Sequence, residues 1–96
     1  MKQKKLTMNR DEWEEFSNAV SCEIALAQDK FPDFPTDPIH AVAIVGEEAG
    51  ESIQAALQAV YESGDTARIK EELIQTAAMC ARAYIMLERK EPPDDR

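Results

Sequence analysis

The sequence predicts an all-α protein: an antiparallel helical bundle of three main helices, completed by oligomerisation. Three observations lead there. Apolar residues recur at steps of three or four along three segments, and no useful length of chain alternates apolar with polar as a strand would. Breaks containing Pro or Gly separate the segments. The chain has 96 residues and is 44% hydrophobic but only 6% aromatic, with alanine supplying much of the apolar content. A single domain this short, with such a core, buries limited area. A homodimer or homotetramer, burying the remaining apolar arcs, is the expectation.

The first helix is expected from about Arg10 to Lys30. Asn9 and Glu12 have the form of a capping box, and Trp13, Phe16, Val20, Ile24, Ala27 and Phe31 share one face. The stretch "FPDFPTDP" carries three prolines within seven residues, which blocks regular helix. It reads as a short rigid connection lying over the core through Phe31 and Phe34. Asp37 and Pro38 suit the N-cap and first position of a second helix running to about Glu62. In "ESGDTA", Gly64 suits a helix C-terminus and Asp65 a new N-cap. The third helix carries Ile69, Leu73, Ala77, Cys80 and Tyr84 on one face and runs to about Arg89. Residues 1–8, with Lys2, Lys4 and Lys5, read as a flexible basic arm; residues 9–90 as one all-α domain; residues 91–96 as a disordered tail.

Charge narrows the function classes. The formal net charge is −8, from 19 acidic and 11 basic residues. A broad nucleic-acid footprint needs clustered Lys and Arg, so no nucleic-acid partner is expected. A nucleotide stays open, because a metal ion bridges acidic side chains to phosphates. The N-terminus lacks the apolar core of a signal peptide and no apolar run reaches membrane-spanning length. No membrane partner and a cytoplasmic location are therefore expected. Cys22 and Cys80 stand far apart in apolar helical context, without the Cys/His clustering that zinc needs. They read as buried, reduced thiols.

The stretch "IVGEEAGESI", Ile44 to Ile53, carries the chemistry. Glu48 and Glu51 share a stripe with Ala41, Ile44, Val45 and Ala55 at helical spacing. An ionised carboxylate there is costly unless something positive meets it. Glu72 stands likewise in line with Ile69, Thr76 and Ala83, with Gln75 close to the same face. If the second and third helices pack antiparallel, the two acidic patches converge. Converging carboxylates without a matched Lys or Arg suit a hard cation such as Mg²⁺. Glu47 stands beside Glu48, where it suits water handling. The competing reading of the same residues is a solvated acidic face paired to Arg68 or Lys70. A helical protein–protein adaptor is a third reading, suggested by the wide apolar arcs and the spacing of Gly46 and Gly50.

Together these residues resemble the MazG-like family of all-α nucleoside triphosphate pyrophosphohydrolases. That family has E-E-x-x-E on one helix and E-E-x-x-D on the next. Here the first half is Glu47-Glu48-Ala49-Gly50-Glu51 and the second is Glu71-Glu72-Leu73-Ile74-Gln75, with Gln75 in the position of the family aspartate. The resemblance covers roughly Pro38 to Leu87. It implies Glu48, Glu51 and Glu72 as Mg²⁺ ligands, Mn²⁺ being an alternative ion, with Gln75 ligating through its carbonyl oxygen. It implies cleavage of a nucleoside triphosphate between the α and β phosphates to give the monophosphate and pyrophosphate, and Glu47 and Glu48 are the candidate catalytic groups for it. It also implies an oligomer of helical hairpins. Arg68, Lys70 and Arg82 are the candidate phosphate contacts, and Trp13 a candidate for the base. Because Gln75 adds no charge, a catalytically weak or inactive nucleotide-binding oligomer of the same fold stands as the alternative.

Overall fold

Three capping side chains decide where the helices begin. In the computed structural model, which describes residues 2–89, Asn9 accepts the Glu12 amide at 2.8 Å while the Glu12 carboxylate accepts the Asn9 amide at 2.9 Å. This complete capping box opens α1, Arg10–Lys30. Asp37 accepts the His40 amide at 3.1 Å and Pro38 takes the first position of α2, Pro38–Tyr61. Asp65 accepts the Ala67 amide at 2.9 Å to open α3, Thr66–Glu88. Each cap satisfies an amide that has no partner within the helix and contributes about 1 kcal/mol. The expected tail at 91–96 lies outside the described residues.

The turn between α2 and α3 uses its glycine differently from expectation. Ser63, not Gly64, adopts the left-handed conformation, with φ of 57°. Gly64 is needed for close approach: a Cβ there would lie 3.0 Å from the Gln58 carbonyl carbon. Its amide donates to the Gln58 oxygen at 3.0 Å. Arg68, on the first turn of α3, reaches back across the turn to the Gln58 side chain.

The described chain is all-helical. α3 packs against both α2 and α1, whereas α1 and α2 do not pack on each other. Since α3 is the only helix packed on α2, the buried residues of α2 mark the face turned to α3. They are Ala41, Ser52 and Ala55. On α3 the buried positions are Ala78 and Ala83. Small side chains let the helix axes approach closely. The Ser52 and Thr76 hydroxyls then meet at 3.2 Å in the middle of the α2–α3 seam.

The larger apolar side chains lie elsewhere. No large side chain is fully buried among the described residues. Ile39 is 81% exposed, Ile53 63% and Val60 71%. Leu73 and Tyr84 on α3 are also exposed. The expected helical faces therefore exist, but those of α2 and α3 point outward. Cys22 and Cys80 are free and exposed, which corrects the expectation of buried thiols; each lies on the outside of its helix. Phe31 is exposed too, while Phe34 alone of the connection's aromatics is half-buried. The radius of gyration, 16.0 Å, exceeds the roughly 13 Å of a compact domain of about this length.

Overpacking the seam should be costly. Ala41→Leu adds three carbons at a position with no exposure, and we expect a loss of about 1–3 kcal/mol in denaturant unfolding. An unchanged midpoint would show that α2 and α3 do not pack as described.

Candidate metal centre

The close α2–α3 seam brings together the acidic residues picked out by spacing. Glu48, Glu51 and Glu72 each offer a carboxylate oxygen, and these oxygens all lie within 4.8 Å of one another. Glu48 and Glu51 sit three apart on α2, one turn of helix. Glu72 comes from α3. Two hydroxyls hold this arrangement at its edge. The Thr76 hydroxyl donates to the Glu72 carbonyl at 2.8 Å, and the Ser52 hydroxyl shares its one proton between the Thr76 oxygen and the Glu48 carbonyl, each 3.2 Å away. Each hydroxyl therefore ties the backbone one turn before it, at a site glutamate, to the cross-helix contact.

Electrostatics mark the cluster as deficient in positive charge. The Glu48 carboxyl is held above its ordinary value of 4.5, first by burial, then by the charges of Glu51 and Glu72, a hydrogen bond with Glu51, and Glu47. Glu72 is raised in the same way, by burial, then by the charge of Glu51 and a hydrogen bond with it; Arg68 opposes and Glu71 adds to the shift. Outer oxygens on both, Glu48 Oε2 and Glu72 Oε2, are buried without a hydrogen-bond partner. Buried acceptors left unpaired in this way are costly. Three hard oxygen donors, two of them with orphaned buried lone pairs, fit the donor preference of Mg²⁺ or Mn²⁺. They do not fit a thiolate or imidazole metal site.

Through Glu48 the cluster reaches a cleft of about 680 Å³. Glu48 and Gln75 line it from the hairpin, and Leu26, Phe31 and Met79 give it apolar walls. Arg82 is one of its two cations, donating to the Phe31 carbonyl at 2.7 Å with its guanidinium 4.9 Å from the centre of the Phe34 ring. Both contacts order a side chain that keeps its charge beside the cleft. Glu23, Asp29 and Lys30 from α1 complete the polar lining. The cleft's volume falls in the range of small-ligand sites, and six of its ten lining residues are polar or charged.

The remaining sequence candidates are placed as follows. Glu47 is exposed beside Glu48. Gln75 is half-buried and faces the cleft. Arg68 is exposed and bonded to Gln58. Lys70 borders a separate groove with Glu12, Glu15 and Phe16. Trp13 is 53% exposed near the start of α1, its ring 6.0 Å from that of Phe16, and does not line the cleft. Leu26, Met79 and Glu23 were not singled out from the sequence. Their role depends on how α1 lies against α3, and no local spacing encodes that.

The raised carboxyls set the sign of a pH dependence. Between the ordinary value of 4.5 and their raised values, Glu48 and Glu72 bind more protons folded than unfolded. Their contribution to stability is thus fully present below the ordinary value and lost as pH rises through the raised ones. We expect the Tm of metal-free protein to fall from about pH 5 toward neutrality, with a shallower fall in Glu48→Gln. A Glu48→Gln slope as steep as the wild type's would contradict the geometry.

The chain matches no family model, no curated protein and no solved structure.

Proposed function

We propose that this protein is a Mg²⁺-dependent nucleoside triphosphate pyrophosphohydrolase, acting between the α and β phosphates. The observation that carries the proposal is the close triad of Glu48, Glu51 and Glu72, with two buried, unpartnered carboxylate oxygens, one of them on Glu48, which lines a ligand-sized cleft. A divalent cation bound there supplies positive charge to phosphate oxygens and lowers the pKa of water. Glu48, Glu51 and Glu72 would hold it, with Mn²⁺ as an alternative, and Gln75 would add a neutral carbonyl oxygen. The MazG-like motif resemblance points to the same set.

The chain's own groups then have distinct tasks. Leu26, Phe31 and Met79 offer the base and sugar an apolar surface. Arg82 offers the phosphates a fixed positive charge. Glu47, solvated beside the triad, accepts the proton of the attacking water. Water adds at phosphorus, the bond to the bridging oxygen breaks, and pyrophosphate leaves with the bridging electrons. Nucleotide pools of the cytoplasm would be the source of substrate. A second reading, nucleotide binding without turnover, is favoured by one feature: Gln75 removes a charge where the motif has aspartate.

Pyrophosphate release from a panel of ribo- and deoxyribonucleoside triphosphates tests the proposal. We expect release with Mg²⁺ and none with chelator, and a fall of about 10²-fold or more in Glu48→Gln. Triphosphate binding with no release would favour the second reading. Neither binding nor release by folded protein would overturn both.

A further inference from the structure

A second cavity, of about 420 Å³, has no use in the proposed chemistry. It shares Arg82 with the cleft and no other residue, and none of Glu48, Glu51 and Glu72 lines it. Its origin is the stop of α1 at Lys30. Pro32 and Pro35 keep the next residues out of helix, and this irregular connection forms one wall beside α3. The half-buried Phe34 holds the connection there, its ring centre 4.9 Å from the Arg82 guanidinium. On α3, Arg82, Ile85, Met86 and Arg89 follow at steps of three, one and three residues, which puts them on one face, and all four line the cavity.

The charge of its walls sets this cavity apart. The chain has a net charge of −8, and other cavities reflect it. The cleft beside the metal centre, the groove at Lys70 and a groove at Cys22 each have more acids than cations on their walls. Here Arg82 and Arg89 stand against Asp33 alone. Gln28 and Thr36 add an amide and a hydroxyl that donate hydrogen bonds. Ile24, Phe34, Ile85 and Met86 give the rest of the wall an apolar character. Two guanidiniums beside apolar surface suit a ligand that is anionic at one end and apolar at the other.

We propose that this cavity is a second ligand site, for a small organic phosphate: one phosphate monoester group on an apolar or aromatic body. The volume is that of a small molecule. A phosphate monoester carries close to two negative charges at neutral pH and three acceptor oxygens, which match two arginines and the neighbouring donors better than a carboxylate does. Arg82 and Arg89 are two helical turns apart, a rise of about 10 Å that two long side chains close from either end. Arg82 has donors left for this, since its contacts are one bond to the Phe31 carbonyl and the face of Phe34. Arg89 also complements the C-terminus of α3, but that role alone gives it no part in binding a ligand.

An NMR titration of the full chain with phenyl phosphate, in the presence of chelator, tests the proposal. Chelator keeps the metal centre out of the measurement. We expect saturable binding at one site, with a Kd on the order of 1 mM or below. Amide shifts should concentrate at Gln28, Phe34, Thr36, Ile85 and Arg89. Arg89 is exposed and lies outside the cleft, so Arg89→Ala and the more conservative Arg89→Gln should keep the fold and weaken binding about tenfold. Glu48→Gln should leave it unchanged. Inorganic phosphate and phenol, the two halves of the probe, should each bind about tenfold more weakly than the whole. No saturation by about 10 mM overturns the proposal. So do shifts centred on Glu48 and Gln75, binding that ignores both Arg89 variants, or benzoate binding as tightly as phenyl phosphate. Pyrophosphate release is not read here, so this proposal and the proposed function fail separately.

Discussion

The close approach of α2 to α3 is the constraint on which the rest of the molecule depends. It exists because Ala41, Ser52 and Ala55 face α3, whose Thr76 meets Ser52 there. Larger residues there would separate the helix axes and with them the carboxylates. The Ser52 and Thr76 hydroxyls meet across the seam and fix how the helices register, with Thr76 donating onward to the Glu72 carbonyl and Ser52 lying 3.2 Å from that of Glu48. Packing, register and the position of the acidic side chains are thus one arrangement. The caps at Asp37 and Asp65 and the tight turn at Ser63-Gly64 bring the two helices to it.

That arrangement sets stability against chemistry. Carboxylates occupy seam positions that apolar side chains would fill more favourably, and burial with mutual repulsion raises Glu48 and Glu72. A seam of alanines gives little hydrophobic stabilisation in return. The large apolar residues, which would ordinarily offset such a cost, face outward on α2 and α3. The single chain therefore leaves unmatched both negative charge on its inside and apolar surface on its outside.

Much of this was legible in the sequence because it is local. The caps at Asn9, Asp37 and Asp65 depend on neighbours two or three residues away, and all three form as expected. The meeting of Glu48, Glu51 and Glu72 followed from helical spacing and one antiparallel turn. The direction of the apolar faces was not legible. α2 has small or apolar residues on nearly every side, so periodicity finds a face without saying what covers it. The cleft was hidden for a different reason: the Arg82 bond to the Phe31 carbonyl joins residues 51 apart. Gly64 was located correctly, yet it serves close approach and Ser63 takes the positive φ.

The most direct test of the central claim is Mn²⁺ binding followed by electron paramagnetic resonance, with wild type, Glu48→Gln and Glu72→Gln compared at neutral pH. One site per chain, competed by Mg²⁺ and lost in both variants, is the predicted result, because the triad needs its carboxylates from both helices. Binding that is absent in the folded wild type, or that persists unchanged in the two variants, would contradict it.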